Sequence, residues 1–521
     1  MKKLVAVLLG LCVALASLFG CAGQGEDPNT LTLAWDFNVK MPVWEKVAEA
    51  YNAYHPEVKI KLDQKDGQTY NNWLANQLNA SKADADIVIN NGVTQFFPSG
   101  KFVDFSQYLM RGNPYADGAV WSDLLESSAF QPYAGGKQVV SLNNESIVTA
   151  WFYNEDLFEE LGVIGFMDGK MPEDWNWDDL IKACGYIKEK GKIPVALGGD
   201  YSCFWAWQGG WLYRVYTDQY FRDMEELAVA QPGDYCYDEE LQASWTFDKE
   251  DKNNDNVSNF VPNLLRVAKK VKEGEIGPSH PKYKDMVKNL SRLIPAYVPD
   301  GFTSMSNSDA ANKFILGEAA IYIDQLNFYA GLERTFADNG AKAFEVGVFR
   351  YPPMTSQTPG VEVGVDYTRD PGGASGNFGI IYKNKEKADL AVDFLMYFFS
   401  PKGQNVFLEA MAEEDVAPNG IPLIKNTEIP DRWAGKYDME FPGKADSNPL
   451  GAFSNGFMEV QESIREFVEQ SQAYYNGQQT LDEYCANLQQ KACLDNINGW
   501  LKNMGYRPNA LDNPALDPSS K

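Results

Sequence analysis

Three tryptophans fall within seven positions of the segment Tyr201-Ser202-Cys203-Phe204-Trp205-Ala206-Trp207-Gln208-Gly209-Gly210-Trp211. Flat aromatic faces suit the C–H side of a pyranose ring, and neighbouring Asp, Asn and Gln groups suit its hydroxyls. Trp205 and Trp207 share a face if the segment is extended, whereas Trp207 and Trp211 share one if it is helical. The flanking pairs Gly198-Gly199 and Gly209-Gly210 predict a loop that exposes at least one ring. The alternative is that the three rings fill a core. Trp44 and Trp151 pose the same choice, and Trp44 is carried as a candidate ligand contact. Gly372-Gly373-Ala374-Ser375-Gly376-Asn377 has the freedom to bring backbone to a ligand, to act as a hinge or simply to turn, and Asn377 is the candidate there. Catalytic groups are less promising. Carboxylates are plentiful, so an acid and nucleophile pair of the glycosidase kind stays open as an alternative. Only His55 and His280 exist, and no nucleophile elbow or histidine metal motif occurs. Asp251-Lys252-Asn253-Asn254-Asp255 begins like a calcium loop, yet Asn256 replaces the turn glycine and Pro262 the final acid, which leaves a solvated acidic loop. No metal or cofactor is expected.

These side chains need elements to position them. Leu31 to Trp35 reads as a strand, Trp44, Val47, Ala48 and Tyr51 recur at helical spacing, and Pro56 ends that helix. Val58 to Leu62 alternates with period two, Tyr70, Trp73, Leu74 and Leu78 mark a second helix, and Asp86 to Ile89 a third strand. Strand, helix, strand, helix, strand predicts an α/β layer with a parallel sheet, whose ligands gather beyond the strands' carboxyl ends. That rule singles out Asp36, Phe37 and Asn38 after the first strand, and Asn90 and Asn91 after the third. Later, Asp178 to Lys190 predicts a helix, Ile193 to Leu197 a strand, Ala391 to Phe398 a helical face and Ser400-Pro401 a capped helix start. Phe457 to Leu501 is mostly helical by pattern. Residues 218–300 follow neither period and are treated as an elaboration.

The chain of 521 residues carries 46 basic and 72 acidic side chains, a formal charge of −26. That many residues exceed one core and predict two or three domains. The negative field disfavours nucleic acid and anionic lipid, and makes a neutral or cationic solute, a polyamine among them, the easier partner. Lys2 and Lys3 followed by an apolar run to Phe19 predict a cleaved signal, residues 1–20. The ending Leu18-Phe19-Gly20-Cys21 resembles the bacterial lipoprotein signal, which makes Cys21 the acylated N-terminus. Residues 21–29 then form a polar tether, its last eight residues spanning roughly 15 Å. Of seven cysteines, Cys12 leaves with the signal, Cys21 takes lipid, and Cys184, Cys203, Cys236, Cys485 and Cys493 predict no disulfide framework. Cys485 and Cys493, eight apart on a predicted helix, stand roughly 12 Å apart, beyond bridging reach.

Several segments, in order, resemble the extracellular solute-binding proteins of sugar ABC transporters, the group containing maltose-binding protein. Tyr51-Asn52-Ala53-Tyr54-His55-Pro56, Ser81 to Val88, Phe152-Tyr153-Asn154-Glu155-Asp156-Leu157-Phe158, Met171-Pro172-Glu173-Asp174-Trp175, Phe314 to Ile321 and Ser400-Pro401-Lys402-Gly403-Gln404 are similar to family elements. Gly135 to Leu142 resembles the family crossover but lacks its tyrosine and proline. The resemblance runs from about residue 31 to 410 and thins over 218–300. It implies a type II, two-lobed periplasmic-binding-protein-like α/β fold that closes on a ligand without chemistry. Lobe 1 would be 30–142 with 373–415, and lobe 2 143–372 with 416–521. It also aligns Asp324-Gln325, after the strand Ala319 to Ile323, with a ligand-contacting turn, although Asp324 could equally cap the next helix. The implied function is a monomeric, lipid-anchored, extracytoplasmic receptor handing a carbohydrate, an oligosaccharide, to an ABC permease. An exported glycan-active hydrolase and a polyamine-binding relative are the alternatives.

Overall fold

The computed structural model describes residues 27–36, 39–80, 83–133, 138–242, 245–248, 261–362, 366–445 and 448–519. The signal, Cys21, Asn38, much of the crossover motif and the calcium-like loop lie outside them. The first part of the chain runs β1 (Thr30–Trp35), α1 (Met41–Asn52), β2 (Lys59–Gln64), α2 (Gly67–Asn79) and β3 (Ile87–Ile89). Then follow β4 (Glu145–Ile147), β5 (Thr149–Asn154), α3 (Trp177–Glu189), β6 (Ile193–Ala196), α4 (Tyr201–Trp205), α5 (Gln208–Phe221), α6 (Leu264–Glu273) and α7 (Pro281–Leu290). The remainder is α8 (Asn307–Ile315), β7 (Ala319–Gln325), β8 (Val346–Phe349), β9 (Ala374–Ser375), β10 (Phe378–Ile380), α9 (Lys385–Phe398), α10 (Pro401–Glu413), β11 (Gly420–Pro422), α11 (Gln461–Tyr475), α12 (Leu481–Asn487) and α13 (Ile497–Asn503).

One four-stranded sheet has the order β10-β3-β1-β2, with β1 parallel to both β2 and β3 and β10 antiparallel at the edge. The parallel β-α-β units arise because apolar residues recur at helical spacing on α1, where Val43, Trp44, Val47, Ala48 and Tyr51 are buried. A second sheet has the order β6-β7-β5-β8, with β6 and β7 parallel. Its central strands β5 and β7 are covered on both faces, as their near-continuous burial requires. Trp151 and Tyr153 point into one apolar cluster and Ala150 and Phe152 into the other, following the period of two.

A third, three-stranded sheet, β11-β4-β9, is antiparallel throughout and lies between the others in the chain's path. β4 leads from β3 to β5, and β9 leads from β8 back to β10. Leu423, Ile424, Trp433 and Tyr437 are buried in the first core, and the chain joins the second from Leu450 onward. Leu423 and Lys425 are tied to the segment 124–126, since the Glu126 N–H donates to Leu423 O at 2.9 Å and the Lys425 N–H to Leu124 O at 2.8 Å.

Residues 218–300 also depart from expectation. α6 and α7 are regular amphipathic helices that bury Leu265, Val267, Ala268 and Val271, and Tyr283, Met286, Val287 and Leu290, in the second core. Asn263 caps α6 by accepting from Leu265 and Arg266 N–H groups, and Gly274 closes it at φ 75°.

Candidate ligand cleft

In the first lobe, β1, β2 and β3 run parallel, so their carboxyl ends share one edge. Asp36 follows β1 there, half-buried, and burial raises its carboxyl above the ordinary aspartate range. Asn90 follows β3 and is fully buried. Its amide donates to Val140 O at 2.9 Å, its Oδ1 accepts from Ser141 Oγ at 2.6 Å, and its backbone N–H donates to Asn377 O at 2.8 Å. Asn90 is thus corrected from ligand contact to clamp: both ends of its side chain already hold the crossing loops. Asn91 beside it is exposed. Asn377, half-buried at φ 50°, donates its backbone N–H to Asn143 Oδ1 at 3.0 Å, so it seats the passage from β9 into β10. Trp44 is a second correction. It is 1% exposed and lies 5.1–6.0 Å from the rings of Trp35, Phe378, Phe398 and Phe407. The helical face that carries it packs inward, and Trp151 is likewise a core residue.

The edge of the second sheet that meets the crossing follows from register. Thr149, two residues beyond β4, pairs with Gln325 at the end of β7, so the carboxyl ends of β6 and β7 both look toward the crossing sheet. Asp324 stands at this edge but is buried. It accepts from the Tyr322 hydroxyl, from the Gln325 backbone N–H at 2.7 Å and from Asn307 Nδ2 at 3.5 Å. Burial dominates these bonds and pushes its carboxyl up to about 6. Gln325 next to it is half-buried. In the crossing sheet, Glu145 is buried and accepts from Asn419 Nδ2 at 3.1 Å and from the Gly420 N–H at 3.2 Å. Desolvation raises its carboxyl to about 7. Periodicity does not mark Glu145; its position between two apolar runs is the only clue in the sequence.

The tryptophan segment is helical rather than a loop. After β6, Leu197-Gly198-Gly199 turns tightly: a Cβ on Gly198 would stand 2.6 Å from Cys203 Sγ and 2.9 Å from Met305 O. Asp200 then caps α4 by accepting from the Cys203 N–H at 2.9 Å. Gly209 and Gly210 occupy the first turn of α5 and are buried, because α4 presses against them. The three rings part company. Trp211 is 2% exposed and belongs to the second core, Trp207 packs half-buried against it with ring centroids 5.5 Å apart, and Trp205 is 37% exposed. Trp211 is therefore withdrawn as a ligand contact, since helical spacing turns its face to the core. Tyr201, 40% exposed, has its ring 6.3 Å from that of Trp205. The sequence reading passed over Tyr201, although its spacing of four from Trp205 places both on one helical face.

Two open aromatic faces, with Asp36, Asn91 and Gln325 on the edges described, can stack on and hydrogen-bond a polar ring compound. The five cysteines Cys184, Cys203, Cys236, Cys485 and Cys493 are free thiols, and among the described residues no group of three or more His, Cys, Asp or Glu is disposed to hold a metal. His55 lies 2.8 Å from the Tyr115 hydroxyl and 3.3 Å from Asp393, and His280 caps α7 through the Lys282 N–H, so both histidines have structural partners.

No curated protein matches the chain in sequence. Among solved structures, it is similar to a family 1 extracellular solute-binding protein from Bifidobacterium longum subsp. infantis, with a TM-score of 0.58 at 16% identity over 89% of this chain and 98% of that one. A chitin oligosaccharide binding protein gives 0.55 at 18% identity over 88% and 97%. The GacH receptor of Streptomyces glaucescens, solved unliganded and with acarbose, gives 0.52 at 18% identity over 92% and 99%. These likenesses establish the two-lobed α/β fold. The profile of the family described as bacterial extracellular solute-binding protein matches residues 34–405, most of the chain. With two cores joined through a crossing sheet and strand ends facing one another across it, the chain belongs to the family of bacterial extracellular solute-binding proteins, which bind solutes rather than transform them.

Proposed function

We propose that this protein captures a carbohydrate, an oligosaccharide, between its lobes outside the cytoplasm and hands it to the permease of an ABC transporter, held at the membrane by lipid on Cys21. The observation that carries the reading is the exposed pair Tyr201 and Trp205 on α4, the helix that follows β6. Exposed aromatic faces of this size are costly in water and are matched by the C–H face of a sugar. The similar structures include a chitin oligosaccharide binding protein and proteins solved with raffinose, maltose and acarbose. Asp36, Asn91, Gln325 and Trp207 are proposed as neighbouring contacts, and Asn38 with them. The net charge of −26 favours a second reading, a cationic solute such as a polyamine.

Thermal unfolding against chitin, xylan and malto-oligosaccharides, raffinose and spermidine separates the two, since a ligand bound only by the folded protein raises its apparent stability. A rise with an oligosaccharide, accompanied by a more compact particle in solution scattering, is the expected result. A rise with spermidine alone overturns the carbohydrate reading, and multiple turnovers of a glycan would restore the hydrolase.

A further inference from the structure

Trp205 ends a helix of only five residues, so little within α4 fixes where its ring points. Two features outside the helix do. The Trp205 carbonyl, left without an intrahelical partner by its terminal position, accepts from Asn455 Nδ2 at 2.5 Å. Asn455 is itself held, because its Oδ1 accepts from the Ser454 hydroxyl at 3.0 Å while the Ser454 carbonyl accepts from the Tyr283 hydroxyl at 3.0 Å. The turn that follows is rigidly shaped. Gly456 sits at φ 134° where a Cβ would meet Ile464 at 3.0 Å, Met458 and Glu459 take φ of 50° and 54°, and the Phe457 N–H donates to Ser463 Oγ. The same carbonyl also lies against Gly210. A Cβ on Gly210 would stand 2.1 Å from Trp205 O and 2.7 Å from its carbonyl carbon.

We infer that Asn455 and Gly210 are positioning residues that together seat the end of α4 and present the Trp205 ring to the ligand. The inference rests on the proposed role of Trp205 and deepens it. It joins two parts of the chain, α4 and the 454–459 turn, that lie some 250 residues apart. Glycine at 210 lets the backbone of α4 close onto α5, and the Asn455 amide donates to the same carbonyl. Backbone bonds and the buried Phe204 hold the helix itself, and loss of either contact at the Trp205 carbonyl shifts the heading of the exposed ring.

The test uses full-length protein labelled with 5-fluorotryptophan, in which Trp205→Phe assigns one of thirteen fluorine resonances. Asn455→Ala, Asn455→Asp and Gly210→Ala are compared in the ligand-free state, where solvent isotope shifts report exposure of the 205 ring. Asn455→Asp preserves size but replaces the donor with an acceptor, so a role in packing alone would survive it. The expected result is that all three move the 205 resonance, with unfolding midpoints kept in both Asn455 variants. Affinity by calorimetry for whichever of chitin, xylan or malto-oligosaccharide the wild type binds should fall about fivefold, the scale of one lost hydrogen bond. Combined with Trp205→Ala, Asn455→Ala should add no further loss. An unmoved 205 resonance in both Asn455 variants overturns the seat, even if Gly210→Ala fails to fold. A moved resonance together with undiminished affinity in Trp205→Ala supports the seat and overturns Trp205 as the ligand contact.

Discussion

Trp205 and Trp211 are chemically identical and six positions apart, yet they should fail in opposite ways. Trp211 is packed into the second core, so Trp211→Ala is expected to cost about 3–5 kcal/mol of folding free energy with binding intact in the folded fraction. Trp205→Ala should leave the denaturant midpoint nearly unchanged and weaken sugar binding, which calorimetry beside chemical unfolding checks. Asp324 gives a prediction of sign. Its carboxyl titrates near 6 when folded and near the ordinary aspartate value of about 4 when unfolded, so between those values the folded state holds the extra proton. This group's contribution to stability is therefore fully present below about 4 and is lost as pH rises through 6. Asp324→Asn removes the titration, and its stability relative to wild type should improve by up to roughly 2–3 kcal/mol between pH 4 and pH 7. A difference that stays flat with pH would mean that the carboxyl is not desolvated.

At the scale of elements, what could be read depended on how each buries its surface. α1 shows its buried stripe and the edge strand β2 its alternation, while β1 and β3, buried throughout, read as short apolar runs. α7 was not recognised, although Tyr283, Met286, Val287 and Leu290 keep helical spacing, because the surrounding Lys, Asn and Asp residues hid the stripe. Leu290→Ala should test its place in the core, costing about 2–5 kcal/mol in urea unfolding if the helix is packed as described. α5 could not be read from amphipathicity at all. Every residue in it but Arg214 is buried, so no polar face remains to set a period. Its two leading glycines mimic a loop signal, and only the contact with α4 reveals that they are there for close approach.

For the whole molecule, the chain passes between two sheets through a crossing sheet that carries a buried carboxylate, Glu145. Attachment belongs to this scale as well. Replacing Cys21 by serine should release the protein from membranes or leave its precursor uncleaved, whereas unchanged detergent partitioning with normal maturation would remove the lipid anchor. The amino-acid sequence by itself determined the α/β class, the parallel first sheet and the family, because local periodicity and ordered motifs survive in one dimension. It also placed Asp324 and the tryptophan segment at strand ends, a consequence of chain order alone. Which tryptophan faces outward and why Asn90 is a clamp were decided only by tertiary structure. Those outcomes depend on partners distant in the chain, Val140 and Ser141 for Asn90 and Asn455 for Trp205. A side chain's exposure is set by what covers it, and the covering residues leave no periodic trace beside the residue they cover.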